Sequence, residues 1–574
     1  MSDDTREDDQ TPEAAAPVES LLDADEVALL TAEFEAVDGA DIVNESLPER
    51  RGWRGIFGGR ISGDTSYRDK DVTPIPEPLP GQIVKEIEPA LAPFSYIRVL
   101  FDSDKDRHIY EVIEPPLTPA DETAFAFVRN AFLRTLDVDL TELEQEGARD
   151  YLTSRFDAVV ERHAIDLTPI ARARLLYYLE RDFLGFGAID AMMRDGQLED
   201  ISCDGPGVPV FLFHRKYESI ESNLVYPDDE ALDGFVMQLV QRSGKHISVS
   251  EPLVDATLPE GSRLQASLSR EVTTRGSTFT IRRFRTDPLT PTDLLTFETM
   301  SDEMIAYMWL AVEHGASGLI CGGTASGKTT SLNALSIFIP AQKKIVSIED
   351  TRELNLTHAN WIPGITRAGA SGTNAGGGRR AGEVDMFDLL KAALRQRPEY
   401  ILLGEVRGPE AYVLFQAMAT GHTVYSTLHA DSVASAVHRL ESRPIEVPRT
   451  LLASLEFVCI QAEARVAGRK VRKMREITEI SGIDARTGEL LTNTVFRWDS
   501  ATAQFIYSGS SDLLGRIADE GAVSRAKLDD ELERRRRLLV ALRDKGVRDI
   551  GRFSRVVARY GIDPDETLRT HEEA

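Results

Sequence analysis

Apolar and polar positions change period several times along the 574-residue chain, and each change predicts a different kind of element. The stretch FSYIRVLFDSDKDRHIYEVIEPPLT alternates and then breaks, which predicts a small β-hairpin. From about 118 to 185, DETAFAFVRNAFLRTL and ARARLLYYLERDF carry apolar residues at helical spacing and predict a helical subdomain. Around 186–286 the pattern is mixed α/β. VPVFLFHRKYESIESNLVY reads as two strands, EALDGFVMQLVQRSG as a helix, and GSRLQASLS and GSTFTIRRF as further strands. RTDPLTPTDLL is Pro-rich and polar, which makes it the hinge candidate. From about 297 to 505, short apolar runs alternate with helical stretches, as expected for a largely parallel sheet. The segment from about 511 to 574 is charged and helical, with AKLDDELERRRRLLVALRDKG at its centre. No internal repeat is visible, and the heptad signal is too short for a coiled coil.

A chain of this length is too long for a single core. Its 94 acidic against 66 basic residues give a net charge of −28, with Arg outnumbering Lys. That balance resembles proteins of salt-loving organisms, in which a dense carboxylate surface stays hydrated. It also argues against a broad nucleic-acid-binding face. The three cysteines, Cys203, Cys321 and Cys459, are scattered and form no CxxC pair. A reducing cytoplasm is therefore expected and a zinc site is not. MSDDTREDDQ lacks a secretory layout, and runs such as MIAYMWLAV fall far short of the about 20 residues that span a bilayer. The expectation is a soluble protein that reaches a membrane only through a partner. Residues 1–50 hold sixteen acidic residues and two arginines. They should be largely disordered, apart from one candidate helix in SLLDADEVALLTAEFEAV.

The sharpest chemistry sits in GGTASGKTT, which follows the apolar run GASGLIC. Gly322, Gly327, Lys328 and Thr329 fit the spacing G-x-x-x-x-G-K-[ST]. Glycines at those positions let the backbone curl so that successive N–H groups face phosphate oxygens. Lys328 adds charge at the β/γ end, and the Thr329 hydroxyl is placed for Mg²⁺. Gly323, Thr324, Ala325, Ser326 and Thr330 complete the nucleotide-binding loop. Leu319 to Cys321 reads as a buried strand before it and TTSLNALSIFI as a helix after it. This is a strong signal for nucleoside triphosphate binding.

Hydrolysis also needs held magnesium, a positioned water and positive charge on the transferring phosphoryl group. KKIVSIEDTREL is a strand ending in Glu349 and Asp350, with Glu353 just beyond. RPEYILLGEVRG is a second strand, Tyr400 to Leu403, tipped by Glu405. In open α/β sheets ligands bind beyond the carboxyl ends of the strands, so both acidic sets can face the loop. In a chain this rich in carboxylates they can equally be ordinary strand ends. In MATGHTVYSTLHADSV, His422 and His429 flank a strand TVYSTL and have no metal-ligand spacing of their own.

GGTASGKTT, SIEDTREL, RPEYILLGEVRG and TGHTVYSTLHADS, in this order, resemble the Walker A, Asp box, Walker B and His box of type II/type IV secretion ATPases. LEDISCDGPGVPVFLFHRKY, DLLKAALRQRPEY and VHRLESRPIEVPRTLL are similar to the archaeal branch, whose members assemble type IV pili and the archaellum. The resemblance covers roughly residues 93–555. It implies a RecA-like P-loop ATPase domain preceded by a smaller α/β N-terminal domain and a helical subdomain, with the acidic head as an addition. The expected boundaries are 1–90 for head and linker, 91–185 for hairpin and helices, 186–288, 289–510 for the ATPase domain, and 511–574 for the helical tail.

The resemblance further implies a homohexamer with ATP as substrate and Mg²⁺ as cofactor. Glu353 would orient or deprotonate the attacking water, Glu405 would hold Mg²⁺ through water, and His429 and His422 would stabilise the site. Glu353 and Glu405 could exchange roles. Arg263, Arg282, Arg283 and Arg407 are the arginine candidates, with Arg263 and Arg282 closing from the N-terminal domain onto the γ-phosphate. Gly369 to Gly382 reads as a flexible spacer or as a ring-lining loop that uses Arg379 and Arg380. The implied function is a cytoplasmic motor whose domain closures drive a pilus-like filament through a polytopic membrane platform protein. An archaellum motor and a DNA-translocating ATPase are rivals within the family, and a nucleotide-gated scaffold without turnover is the rival outside it.

Overall fold

A computed structural model of the chain describes residues 72–135, 145–284, 287–367, 382–466 and 469–572. The expected acidic head up to residue 71 and the glycine-rich loop up to residue 381 lie outside the described residues. The chain divides between Asp195 and Gly196 into two compact units.

The first unit opens with β1 (Gln82–Leu91), β2 (Ser95–Asp102) and β3 (Arg107–Ile113), an antiparallel meander in which β2 is central. The expected hairpin is β2–β3. The third strand, β1, was hidden because its QIVKEIEPAL is mostly exposed and gives no clean alternation of burial. Helices α1 (Pro119–Thr135), α2 (Gln145–Arg162) and α3 (Pro169–Leu179) follow, then the short α4 (Asp190–Arg194). Val128, Phe132, Leu152, Phe156, Leu175 and Leu179 form their common core.

The second unit begins with a six-stranded antiparallel layer in the order β6-β5-β4-β9-β8-β7. Its elements are β4 (Leu198–Cys203), β5 (Pro209–His214), β6 (Glu218–Val225), α5 (Asp229–Arg242), β7 (Leu253–Thr257), β8 (Arg263–Ser267) and β9 (Thr278–Arg282). The expected strands are β5, β6, β8 and β9, while β4 and β7 are additions. The hinge candidate is not a continuous loop. Its second half is α6 (Pro291–Thr296), closed by a capping box between Thr290 and Asp293 and buried from Pro291 to Leu295.

The main layer continues with α7 (Asp302–Glu313), β10 (Gly318–Gly322), α8 (Lys328–Ser336), β11 (Ile345–Glu349) and β12 (Trp361–Ile365). Then come α9 (Met386–Leu394), β13 (Tyr400–Leu403), α10 (Glu410–Ala419), β14 (Thr423–Leu428), α11 (Val433–Glu441) and α12 (Arg449–Leu452). Strands β15 (Phe457–Val466), β16 (Arg469–Ile483), β17 (Leu490–Asp499) and β18 (Gln504–Tyr507) end the sheet. Helices α13 (Asp512–Glu520), α14 (Arg525–Asp544), α15 (Ile550–Ile562) and α16 (Pro564–Glu572) close the described chain.

The sheet order is β12-β11-β13-β14-β10-β15-β16-β17-β18. Its pairings are parallel from β12 to β15 and antiparallel from β15 to β18. Strand–helix alternation therefore stops at β15, earlier than the sequence pattern suggested. Strands β10, β11, β13 and β14 are buried along their whole length, which explains their continuous apolar runs. The β10–β15 register puts Gly318 opposite Phe457, and a Cβ at Gly318 would lie 2.1 Å from that ring. Only glycine fits there.

The C-terminal helices are held to this layer by aromatics. Trp309 on α7 stacks on Phe338, just past α8, at 4.9 Å between ring centres, and lies 5.1 Å from Tyr560 on α15. Arg535 on α14 covers Trp309 at 4.8 Å and pairs with Glu313 at 2.6 Å and Glu531 at 3.0 Å. Trp309→Ala should cost about 3–5 kcal/mol, because it opens a cavity and strips the cover from a buried guanidinium. Denaturant unfolding followed by tryptophan-independent circular dichroism measures this. A loss below about 1 kcal/mol would show that the helices are held elsewhere.

Candidate active site

Strands β10, β11, β13 and β14 deliver their carboxyl ends to one cleft of about 500 Å³. The phosphate loop joins β10 to α8. A Cβ at Gly322 would lie 2.3 Å from the Gln461 carbonyl oxygen, so the strand can end there only in glycine. Gly327 takes φ +92° and Ala325 φ +58°, both left-handed. Gly327 caps α8 with no side chain, which leaves the N–H groups of the first turn to a ligand.

Lys328 is 8 % exposed. Its Nζ donates to the Gly323 carbonyl at 2.8 Å and lies 3.4 Å from His429 Nδ1. Burial lowers its pKa, and Glu405 opposes the shift. His429 Nε2 lies 3.0 Å from Glu405 Oε1. The imidazole pKa is lowered by burial and by Lys328, against the pull of Glu405, so the ring is neutral near pH 7. Arg407 grips Glu405 Oε2 through Nε at 2.8 Å and Nη2 at 2.5 Å, and reaches Asp350 at 3.3 Å. The strand tips thus carry a row of alternating charges with a neutral histidine in the middle.

The cleft is also lined by Thr324, Ala325, Gly327, Thr329, Thr330 and Glu353 from this layer. The antiparallel layer facing them contributes Arg263 and Arg282, which are paired across β8 and β9. Each is held loosely, Arg263 to Asp255 at 3.7 Å and Arg282 to Asp200 at 3.4 Å. Arg283 lines the same wall. Gly322, Gly323 and Ser326 belong to the loop but do not line the cleft.

His422 is not brought to this site. It precedes β14, where its Nδ1 faces the Ala417 carbonyl at 3.3 Å, whereas His429 follows the same strand. The six residues of β14 between them amount to about 20 Å of extended chain. In a parallel sheet only the carboxyl ends meet the ligand, so His422 lies at the wrong end.

Two residues without an assigned role emerge. Glu349 ends β11 at 2 % exposure, and its Oε1 accepts the backbone N–H groups of Glu353 and Leu354, both at 2.9 Å. It therefore shapes the turn that presents Glu353. Gly404 permits this, since a Cβ there would lie 3.3 Å from Glu349 Cγ. The signal available beforehand was a carboxylate at the end of a wholly apolar strand. Arg472 on β16 donates from Nε to the Ala325 carbonyl at 3.0 Å. Nothing local in the sequence links it to a loop so far upstream. Cys321, directly below the loop, is no nucleophile, because burial pushes its thiol up to about 12.

Residues 210–503 match the family model described as type II/IV secretion system protein. The chain belongs to that family. Residues 502–574 match a second model, described as PilB3-like, C-terminal. An uncharacterized protein of Methanocaldococcus jannaschii is 35 % identical over 465 residues, covering 77 % of this chain and 82 % of that one. The type IV secretion system protein PtlH of Bordetella pertussis is 36 % identical over 194 residues, 31 % of this chain and 54 % of its own. The crystal structure of the Legionella pneumophila ATPase DotB aligns with a TM-score of 0.38 at 18 % identity, covering 61 % of this chain and 87 % of DotB. As a member of the secretion family the chain is an α/β protein whose phosphate-loop sheet follows a smaller α/β layer. No described helix is long and apolar enough to cross a membrane.

Burial pushes the Glu349 carboxyl up from its usual 4.5 to about 7. Between those values the unfolded chain binds fewer protons than the folded one. The group's contribution is therefore complete below pH 4.5 and is lost as pH rises through about 7. Glu349→Gln keeps an oxygen acceptor for the two N–H groups and removes the ionisation. Its melting temperature relative to wild type should climb between about pH 5 and pH 8, by the equivalent of up to about 3 kcal/mol. A pH-independent difference would mean that Glu349 ionises normally.

Proposed function

We propose that this secretion-family chain is a Mg²⁺-dependent ATPase that works as a homohexameric motor. Its domain closures would drive a pilus-like filament through a polytopic membrane platform protein at the cytoplasmic face. The observation that supports this best is the meeting of Lys328, Glu353, Glu405 and His429 in one cleft, opposite Arg263 and Arg282. The domain partition follows the same reading, with 186–288 closing on 289–510 and residues 511–574 packed behind.

The oxygen donors fit magnesium. Thr329 opens α8 and Glu405 tips β13 on the same cleft wall, and among the described residues no larger cluster forms a metal cage. This suits an ion that keeps waters and shares itself with phosphates. Bound there, Mg²⁺ would neutralise charge on the β- and γ-phosphates. Lys328 would leave the Gly323 carbonyl for a phosphate oxygen, because an anion is the stronger partner. Glu353, on the turn fixed by Glu349, would orient or deprotonate the water. His429, neutral and beside both Lys328 and Glu405, can donate to a γ-oxygen without adding charge. Arg263 and Arg282 would then swing in, and closing them brings their layer along. An arginine so placed is worth about 10³–10⁵ in rate.

Steady-state phosphate release tests the whole reading. Wild type should turn over ATP, Lys328→Ala should lose nucleotide binding, and Glu353→Gln should slow release by about 10²–10⁴-fold while still binding. Release from wild type that is absent altogether would favour a nucleotide-gated scaffold. Stimulation by DNA rather than by a membrane protein would favour translocation.

A further inference from the structure

The strand pair β15–β16 has no place in the chemistry above, yet it touches the phosphate loop and the helix after it at three points. Gln461 on β15 sets the first two, its carbonyl against Gly322 and its Oε1 accepting from Ser331 at 2.6 Å, in the first turn of α8. Arg472 supplies the third. The register pairs it with Glu463, and pairs Gln461 with Met474, so both side chains come from one length of antiparallel ladder.

Arg472 Nε holds the Ala325 carbonyl at 3.0 Å, and its Cδ would lie 3.4 Å from a Cβ at Gly327. Ala325 sits at φ +58°, a conformation that a non-glycine residue keeps only when its surroundings impose it. The C=O and N–H of one trans peptide point in opposite directions. Pinning the Ala325 carbonyl outward therefore turns the Ser326 N–H inward. There it reaches the Gly323 carbonyl at only 3.4 Å, which is too long to compete with a phosphate oxygen. The Nη groups of Arg472 make no hydrogen bond or ion pair among the described residues, and the side chain lines the nucleotide cleft.

We propose that Arg472 is the clasp of the phosphate loop, a positioning residue that presets the Ala325–Ser326 peptide and so sets affinity for nucleoside di- and triphosphates. This rests on the nucleotide-binding reading of the cleft, and not on turnover. The clasp acts on ground-state binding, so ATP and ADP should lose equally and the chemical step should not.

The test titrates fluorescent ATP and ADP analogues, with Mg²⁺, into full-length wild type, Arg472→Ala and Arg472→Lys, and adds phosphate release at saturating ATP. Arg472→Ala should raise both dissociation constants about tenfold, the worth of one charge-assisted hydrogen bond. Arg472→Lys should fall between, and kcat should stay within about twofold of wild type. Unchanged dissociation constants, or a fall in kcat at unchanged affinity, would overturn the clasp. Should the alanine variant fail to fold, the lysine variant carries the same comparison. Wild type that binds both analogues but releases no phosphate would overturn the ATPase reading and leave the clasp standing.

Discussion

An ammonium group that is 8 % exposed must be compensated, and the way Lys328 is compensated organises the whole cleft. Its direct partner is a backbone carbonyl, a weak match for a cation. The nearest full negative charge, on Glu405, stands behind His429. Burial and Lys328 lower the pKa of that histidine, so it stands between the two charges without cancelling either. Arg407 takes the other oxygen of Glu405 and so stops the carboxylate from collapsing onto the lysine. The result is a cation held near its counter-charge but not neutralised by it. On the proposed reading, a polyphosphate entering the loop would replace that carbonyl with a better partner.

That balance depends on a rigid floor. Four fully buried parallel strands fix the height of their tips, and glycines at Gly318 and Gly322 let them pack where a methyl group would collide. Behind the loop, the aromatic cluster around Trp309 joins the end of α8 to the C-terminal helices. A second tie runs from Thr357, beyond the Glu353 turn, to Ser554 on α15 at 2.8 Å. Asn333 on α8 in turn accepts the Asn355 N–H at 2.9 Å. Contacts thus run from α8 and the Glu353 turn to the helices that match the PilB3-like model.

Much of this was legible in the sequence, for physical reasons that differ by element. Strands β13 and β14 fall on the residues their patterns indicated, because a short apolar run between turn signals has one way to be buried. The strand, loop and helix of the phosphate site are local, so local reading finds them. Strand β1 is exposed, and β7 is short and half-exposed, and both carry too little pattern to be seen. The end of strand–helix alternation at β15 was invisible because antiparallel pairing is a property of partners. His422 looked equivalent to His429 because both border one strand, and only the parallel pairing of that strand separates them. Arg472 is the extreme case, brought to Ala325 by pairing in the sheet alone.

The arginines divide by how firmly they are held, and this decides which can serve as movable charge. Arg407 makes two short bonds to a carboxylate that is 13 % exposed, and leaving would strand that carboxylate. It is fixed. Arg263 and Arg282 sit at 44 % and 63 % exposure, each with one long contact to an aspartate. Surface pairs of that kind are worth about 0–1 kcal/mol, far less than a bond to a phosphate in a closing cleft. Burial already raises the pKa of Asp200, the partner of Arg282, so its hold weakens further as pH falls. The layer that carries Arg263 and Arg282 can therefore release them at little cost, and on the proposed reading a ligand that attracts them would draw that layer inward. The proposed closure would thus draw on the weak pairs, while the strong pair beside Glu405 would stay to keep the row in order.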